Sequence, residues 1–304
     1  MTISRALSAA ALATALLLAP APARAGHRGR NVSIHDDGDV KTCADIEVEF
    51  DDRSAARAEE RLTFSADPGK ALRINVPEGS GVRVRGADRP DFEVLVCKAA
   101  PSKAALDAIA ASRDGATLSV RGPSSGEWVG YLLIAAPKGA AMEVSADNGP
   151  ITLSGLSGRV TVRSENGPIS VSNSSGDIDA RAENGPISAS GDGGKLRLST
   201  ENGPIAVSLS GASWKGEGLD ARAVNGPVTL AVPAGYRSGT SVESLGHSPF
   251  SCRGAGCGDV RRSWDDDRKK LELGEGPVVV RLSTENGPVA VRTGANANAN
   301  EDED

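Results

Sequence analysis

From Met142 onward, apolar and polar residues alternate with period two, in short runs that break at a recurring Asn-Gly-Pro. The tripeptide begins at Asn148, Asn166, Asn184, Asn202, Asn225 and Asn286; its spacings are 18, 18, 18, 23 and 61 residues. Aligning the copies gives four apolar columns. Six residues before the Asn stand Met142, Val160, Ile178, Leu196, Leu219 and Val280, and four before it stand Val144, Val162, Ala180, Leu198, Ala221 and Leu282. Three after it come Ile151, Ile169, Ile187, Ile205, Val228 and Val289, and five after it Leu153, Val171, Ala189, Val207, Leu230 and Val291. Alternation on both sides of a turn predicts two half-buried strands per repeat.

Two architectures use such a pattern. Asn-Gly between alternating runs is a strong hairpin signal. A tight hairpin, however, needs the N–H after the Gly to close the turn, and proline has none. Proline at the start of a strand beyond a corner loses less. The preferred reading is an all-β, parallel β-solenoid with two strands per coil of about 18 residues, coils stacked about 4.8 Å apart. The six asparagines, Asn148, Asn166, Asn184, Asn202, Asn225 and Asn286, then become structural residues able to form a hydrogen-bonded ladder.

The rest of the chain is less regular. Residues 26–45 are polar and read as a mobile arm. Residues 46–141 read as an irregular, mainly-β N-terminal part of the solenoid, with one short helix over Ser102–Ser112. Repeat coils occupy 142–293, with a small insertion at Trp214–Gly218 and a larger one at 237–274. Residues 294–304, Asn/Ala repeats ending in Glu-Asp-Glu-Asp, cannot bury anything and read as a disordered acidic tail.

Composition adds compartment and partner class. Residues 1–25 resemble an export signal: Arg5, an apolar run from Ala6 to Leu18, then Ala23-Arg24-Ala25 as the cleavage site. The run is too short for the roughly 20 residues of a membrane span. Removing the signal takes away Arg5 and Arg24 and no acid, so the net charge of −6 becomes −8. With that charge and no basic stripe, nucleic acid is excluded as a partner. Four cysteines, Cys43, Cys97, Cys252 and Cys257, favour two disulfides in an exported chain. Three connectivities exist; Cys43–Cys97 with Cys252–Cys257 is favoured. A metal site using His247 beside the late pair is the weaker reading.

The strand–Asn-Gly–strand coil, entered through Pro137-Lys138-Gly139 after an apolar strand, resembles the "putative adhesin" domain-of-unknown-function family of bacterial envelope proteins. It is also similar to the head domains of autotransporter adhesins. The resemblance covers about Ala71 to Arg292 and rests on structural motifs. It implies a β-solenoid, periplasmic or at the cell surface of a bacterium. In that family an acidic residue often follows Asn-Gly, where this chain has Pro every time.

Chemistry is sparse. Gly122-Pro123-Ser124-Ser125-Gly126 matches a hydrolase nucleophile pattern, but strand-like sequence follows it and His247 is the only later histidine. The residues before each Asn form an acidic column, Asp147, Glu165, Glu183, Glu201 and Glu285, broken by Val224; Arg163, Arg181 and Arg222 stand two residues before these positions and suggest interleaved ion pairs. A divalent cation between stacked carboxylates is the sharper, less favoured alternative. Trp214 and Trp264 read as cover for the core rather than as ligand platforms. The sequence therefore supports an exported protein without catalytic residues or cofactor, working as an adhesin-like envelope or surface interaction module. Its candidate partners are envelope polysaccharide or envelope and surface proteins. The alternatives are a polysaccharide-active β-helix enzyme and a scaffold that self-associates weakly through an exposed coil edge.

Overall fold

Each coil sends one strand to each of two facing sheets, as the column pattern requires. In the first repeat Met142–Ala146 lies in one sheet and Ile151–Ser154 in the other. The structure, a computed structural model, describes residues 32–36 and 40–294, apart from residues 52, 68, 125, 126 and 266. The expected export signal and residues 295–304 of the acidic tail lie outside the described residues. The back sheet has twelve strands and the front sheet eleven.

Within the repeats every pairing is parallel. Ile151, Ile169, Ile187, Ile205, Val228 and Val289 are successive partners in the front sheet. Met142, Val160, Ile178, Leu196, Leu219 and Val280 are successive partners in the back sheet. All of these side chains are buried between the sheets. Branched aliphatics suit the pleat, and each fully buried one contributes about 1.5–3 kcal/mol.

The order of coils in space is not their order in the chain. Residues 237–274, expected as an interruption, supply another coil, Ser238–Leu245 in the back sheet and Phe250–Gly254 in the front. That coil lies beyond the last Asn-Gly-Pro coil, which returns to fill the gap. Val289–Thr293 thus pairs with Val228–Val232 on one side and Phe250–Gly254 on the other. The same device occurs at the opposite end. Val82–Ala87 is held between Ile151–Ser154 and the later strand Val129–Pro137. Both terminal coils of the repeat are therefore pinned on two sides.

Antiparallel strands finish the ends. Ala56–Ser65 and Arg261–Asp265 are the outermost strands at opposite ends. The helix is shorter than expected, Lys103–Asp107, capped by the Ser102 hydroxyl accepting from the Ala105 N–H, and the chain is back in a strand by Ala110. Within the stretch expected as a mobile arm, Val32–Asp36 pairs antiparallel with Ile46–Phe50. With Arg53–Ser54 these strands make a third sheet. Ile46, Val48 and Phe50 form a second core with Val129, Tyr131 and Leu133, on the outer side of the front sheet. This small sheet is a flap over one end of the front face.

The column model gives a direct stability test. Ile187→Asp should lose about 1.5–3 kcal/mol of burial and add the cost of an unpaired buried carboxylate. Its outward neighbour, changed as Ser188→Asp, should stay within about 0.5 kcal/mol of wild type. Urea denaturation of both variants checks the contrast; equal effects would mean that the two positions do not lie on opposite faces.

Candidate binding face

The corners come first, because they set the register of everything outside. The Asn166 amide donates to the Asn148 carbonyl oxygen, Asn184 to Asn166, Asn202 to Asn184, Asn225 to Asn202 and Asn286 to Asn225, at 3.0–3.1 Å. The six asparagines form one continuous ladder with all amides pointing the same way. The glycine beside each is fixed by crowding and not by backbone conformation, since none of the six has a positive φ. A Cβ on Gly167 would lie 2.1 Å from the Gly149 carbonyl oxygen, and one on Gly185 2.4 Å from that of Gly167. The proline carbonyls then start the front sheet: Pro168, Pro186 and Pro204 accept from the N–H groups of Ile151, Ile169 and Ile187.

The outer faces of the two sheets differ in charge. The back face carries both signs, with pairs such as Arg73–Glu143 at 3.0 Å, Arg181–Asp179 at 2.9 Å and Arg197–Asp177 at 3.1 Å. Beside the corners, a groove of about 580 Å³ holds Asp147, Glu165, Glu183 and Glu201 of the acidic column with Arg163, Arg181 and Arg222. Among the described residues the interleaving expected in this column is seen between Arg222 and Glu285. Arg181 turns to Asp179 on its own strand instead. Among the described residues no cluster of three or more His, Cys, Asp or Glu is placed to hold a metal ion.

The front face is different. Its first outward column reads Thr152, Ser170, Ser188, Ala206, Thr229 and Ala290, and its second Ser154, Ser172, Ser190, Ser208, Ala231 and Arg292. Ten small uncharged side chains precede Ala290 and Arg292, in register along the axis. Eight of them, all but Thr152 and Ser154, line a trough of about 790 Å³ that runs from Ser170 to Arg292. The Ser170 and Ser188 hydroxyls are 2.9 Å apart and hydrogen-bonded. The column alignment contained this face, but only the structure shows that it is concave and separated from the charged face.

The remaining candidates are dispersed. Ser124 follows the back-sheet strand Thr117–Arg121, and His247 follows Ser238–Leu245. Eight strand spacings separate those strands, about 38 Å, so they cannot act as a catalytic pair. Ser125 and Gly126 of that motif lie outside the described residues. Trp214 is buried, its indole N–H donating to the Gly194 carbonyl at 3.0 Å. Trp264 does not cover the core; it is 53% exposed on the edge strand Arg261–Asp265. The cysteines pair as Cys43–Cys97 and Cys252–Cys257. The first joins the flap to the front sheet, and the second ties the outermost front strand to the turn Ala255–Cys257.

No family model and no curated protein matches this chain. Several solved structures resemble it. A "putative cell adhesion protein" from Clostridium sporogenes is 11% identical with a TM-score of 0.33, the match covering 78% of this chain and 100% of that one. A "putative adhesin" from Bacteroides fragilis is 12% identical with a TM-score of 0.27, covering 78% and 97%. A "putative lipid binding protein" from Parabacteroides distasonis is 10% identical with a TM-score of 0.27, covering 76% and 96%. Likenesses this distant carry no argument about the present chain.

Two substitutions test the corner. Asn184→Ala removes two ladder bonds and should cost about 1–2 kcal/mol while leaving the fold intact. Gly185→Ala must push stacked backbones apart and should cost more, although it removes no hydrogen-bonding group. Chemical denaturation ranks them; an alanine at 185 that is neutral would refute crowding as the reason for glycine.

Proposed function

We propose that this protein is an exported, non-catalytic binding module that holds an envelope polysaccharide along its front face. The observation carrying this reading is the uncharged trough of Ser, Thr and Ala ranks. Protein interfaces draw much of their energy from buried Trp, Tyr and Arg anchors. The trough offers none of these along its middle coils, and its hydroxyls instead suit a polar, hydroxylated chain. Ranks about 4.8 Å apart let many weak contacts add along a repeating ligand. Two disulfides fit an oxidising compartment, in keeping with the export signal in the sequence. No helix among the described residues is long and apolar enough to cross a membrane.

A second reading, self-association, has one specific observation behind it: the edge strand Arg261–Asp265 is exposed along its whole length and displays Trp264.

Removing residues 166–183 deletes one coil and joins Glu165 directly to Asn184, which preserves the corner sequence. The shortened protein should fold and should bind bacterial envelope fractions more weakly than wild type in a sedimentation assay. Ser188→Arg, which places a long cation in the trough, should weaken binding with no loss of stability. Equal binding by all three proteins would overturn the front-face reading. Concentration-dependent oligomers lost on Trp264→Asp, with no envelope binding, would favour the scaffold. Turnover of envelope polysaccharide abolished by one outward acid, such as Asp147→Asn, would make the protein an enzyme.

A further inference from the structure

Among the described residues two large apolar side chains are exposed, Leu245 at 41% and Trp264 at 53%. Both stand at the same end of the back sheet, within its last three strands, Ser238–Leu245, Arg268–Leu273 and Arg261–Asp265. Arg261–Asp265 comes last. It pairs antiparallel with Arg268–Leu273 on one side, and among the described residues no strand follows it on the other. Its outer row of backbone N–H and C=O groups is therefore open to another strand. At the opposite end of the same sheet, the edge strand Ala110–Asp114 exposes no large apolar side chain.

Charges on an edge commonly turn other strands away. Here their order makes an exception of the chain's own copy. The strand reads Arg261-Arg262-Ser263-Trp264-Asp265, and turned end for end about Ser263 it is complementary to itself. On one face Arg261 stands opposite Asp265 of the second copy; on the other Arg262 stands opposite Trp264 of the second copy; both contacts are made twice. Opposite charges, and a cation against an aromatic ring, stabilise an antiparallel pair when they face each other across it. These side chains already have neighbours within the chain. Arg261 lies 3.5 Å from Glu272, and Asp265 stands opposite Arg268. Pairing extends that row without competing with it, because the signs alternate: Glu272 and Arg261, then Asp265 and Arg268 of the second copy. On the other face Arg262 donates to the Cys257 carbonyl at 3.1 Å, with its guanidinium 5.9 Å from its own Trp264 ring. Trp264 leans on Phe250, ring centroids 6.3 Å apart, which holds the indole beside the edge. Other arrangements lose the match. A parallel, in-register pair sets each arginine against its own copy, and an antiparallel pair centred on Arg262 brings two guanidinium groups together.

We propose that Arg261–Asp265 is a dimerisation strand: two copies of this chain join antiparallel about Ser263 and run their back sheets into one. The contact is isologous, so it closes at two copies and grows no filament. Five residues from each copy make a small interface, and the dimer is a weak one. This inference rests on the self-association reading and gives it a surface, a register and a partner; binding along the front face is independent of it.

Sedimentation equilibrium of the full chain, over about 10–500 µM protein at low salt, tests the register. Wild type should pass from monomer to dimer and no further. Arg261→Asp sets carboxylates opposite one another in its own dimer, and Asp265→Arg does the same with guanidinium groups. Each variant alone should dimerise about tenfold or more weakly than wild type. In a one-to-one mixture every acid at these positions again faces a cation, so dimer should return to within about threefold of wild type. Recovery on mixing also shows that both variants are folded. Ser263→Glu and Ser263→Lys repeat the test at the two-fold itself: each should dimerise weakly alone and recover when mixed. Wild type that stays monomeric throughout overturns the pairing and the self-association reading together. Wild type that dimerises while the single variants dimerise equally well, or while neither mixture recovers, keeps self-association and overturns this strand as its interface.

Discussion

Adjacent coils stand about 4.8 Å apart, the distance set by hydrogen bonds between strands, and every corner must fit within it. A side chain pointing from one corner into the next would meet a backbone carbonyl. That is why glycine occupies the middle of each Asn-Gly-Pro, with the oxygen of the preceding glycine 2.0–2.4 Å from any added Cβ in the copies at Gly167, Gly185, Gly203, Gly226 and Gly287. The same short distance brings the asparagine amides into bonding range. Proline follows where its carbonyl is needed as an acceptor. One spacing thus explains the glycine and the asparagine, and it transmits the register of each coil to the next.

Once register is fixed, inward positions have little freedom and outward positions have a great deal. The inward columns are almost all aliphatic because two sheets face each other across them. The outward columns were free to diverge, and they did so by face. Paired charges collect on the back, where exposed ion pairs contribute little to stability, about 0–1 kcal/mol each. The front was left with hydroxyls and methyl groups, and its cations stand at the ends of the columns. A rigid stack makes such a face useful, because ligand contacts along it need no ordering of loops.

The repeat was legible because its apolar columns are regular. The coil at Ser238–Gly254 was not, for a specific reason: two of its inward positions are Thr240 and Ser244, fully buried but polar, so the alternation disappears from the sequence. Its corner also departs from the pattern, with Gly246-His247-Ser248-Pro249 in place of the tripeptide; even so, Pro249 offers its carbonyl to Val289 as the regular prolines do. The out-of-order placement of the terminal coils depends on pairings between segments far apart in the chain, which no local period encodes. The acidic column was visible, but its pairing was not, because a side chain such as Arg181 chooses among neighbours that the columns alone do not rank.

The central claim is that the front face is where this protein meets its ligand. Amide chemical-shift mapping of the isotope-labelled full chain, titrated with soluble polysaccharide released from bacterial envelopes, tests it most directly. The account predicts shifts concentrated on Ile151–Ser154, Ile169–Ser172, Ile187–Gly191 and Ile205–Leu209. Shifts confined to back-sheet strands such as Asp177–Ala182, or to the edge strand Arg261–Asp265, would contradict it.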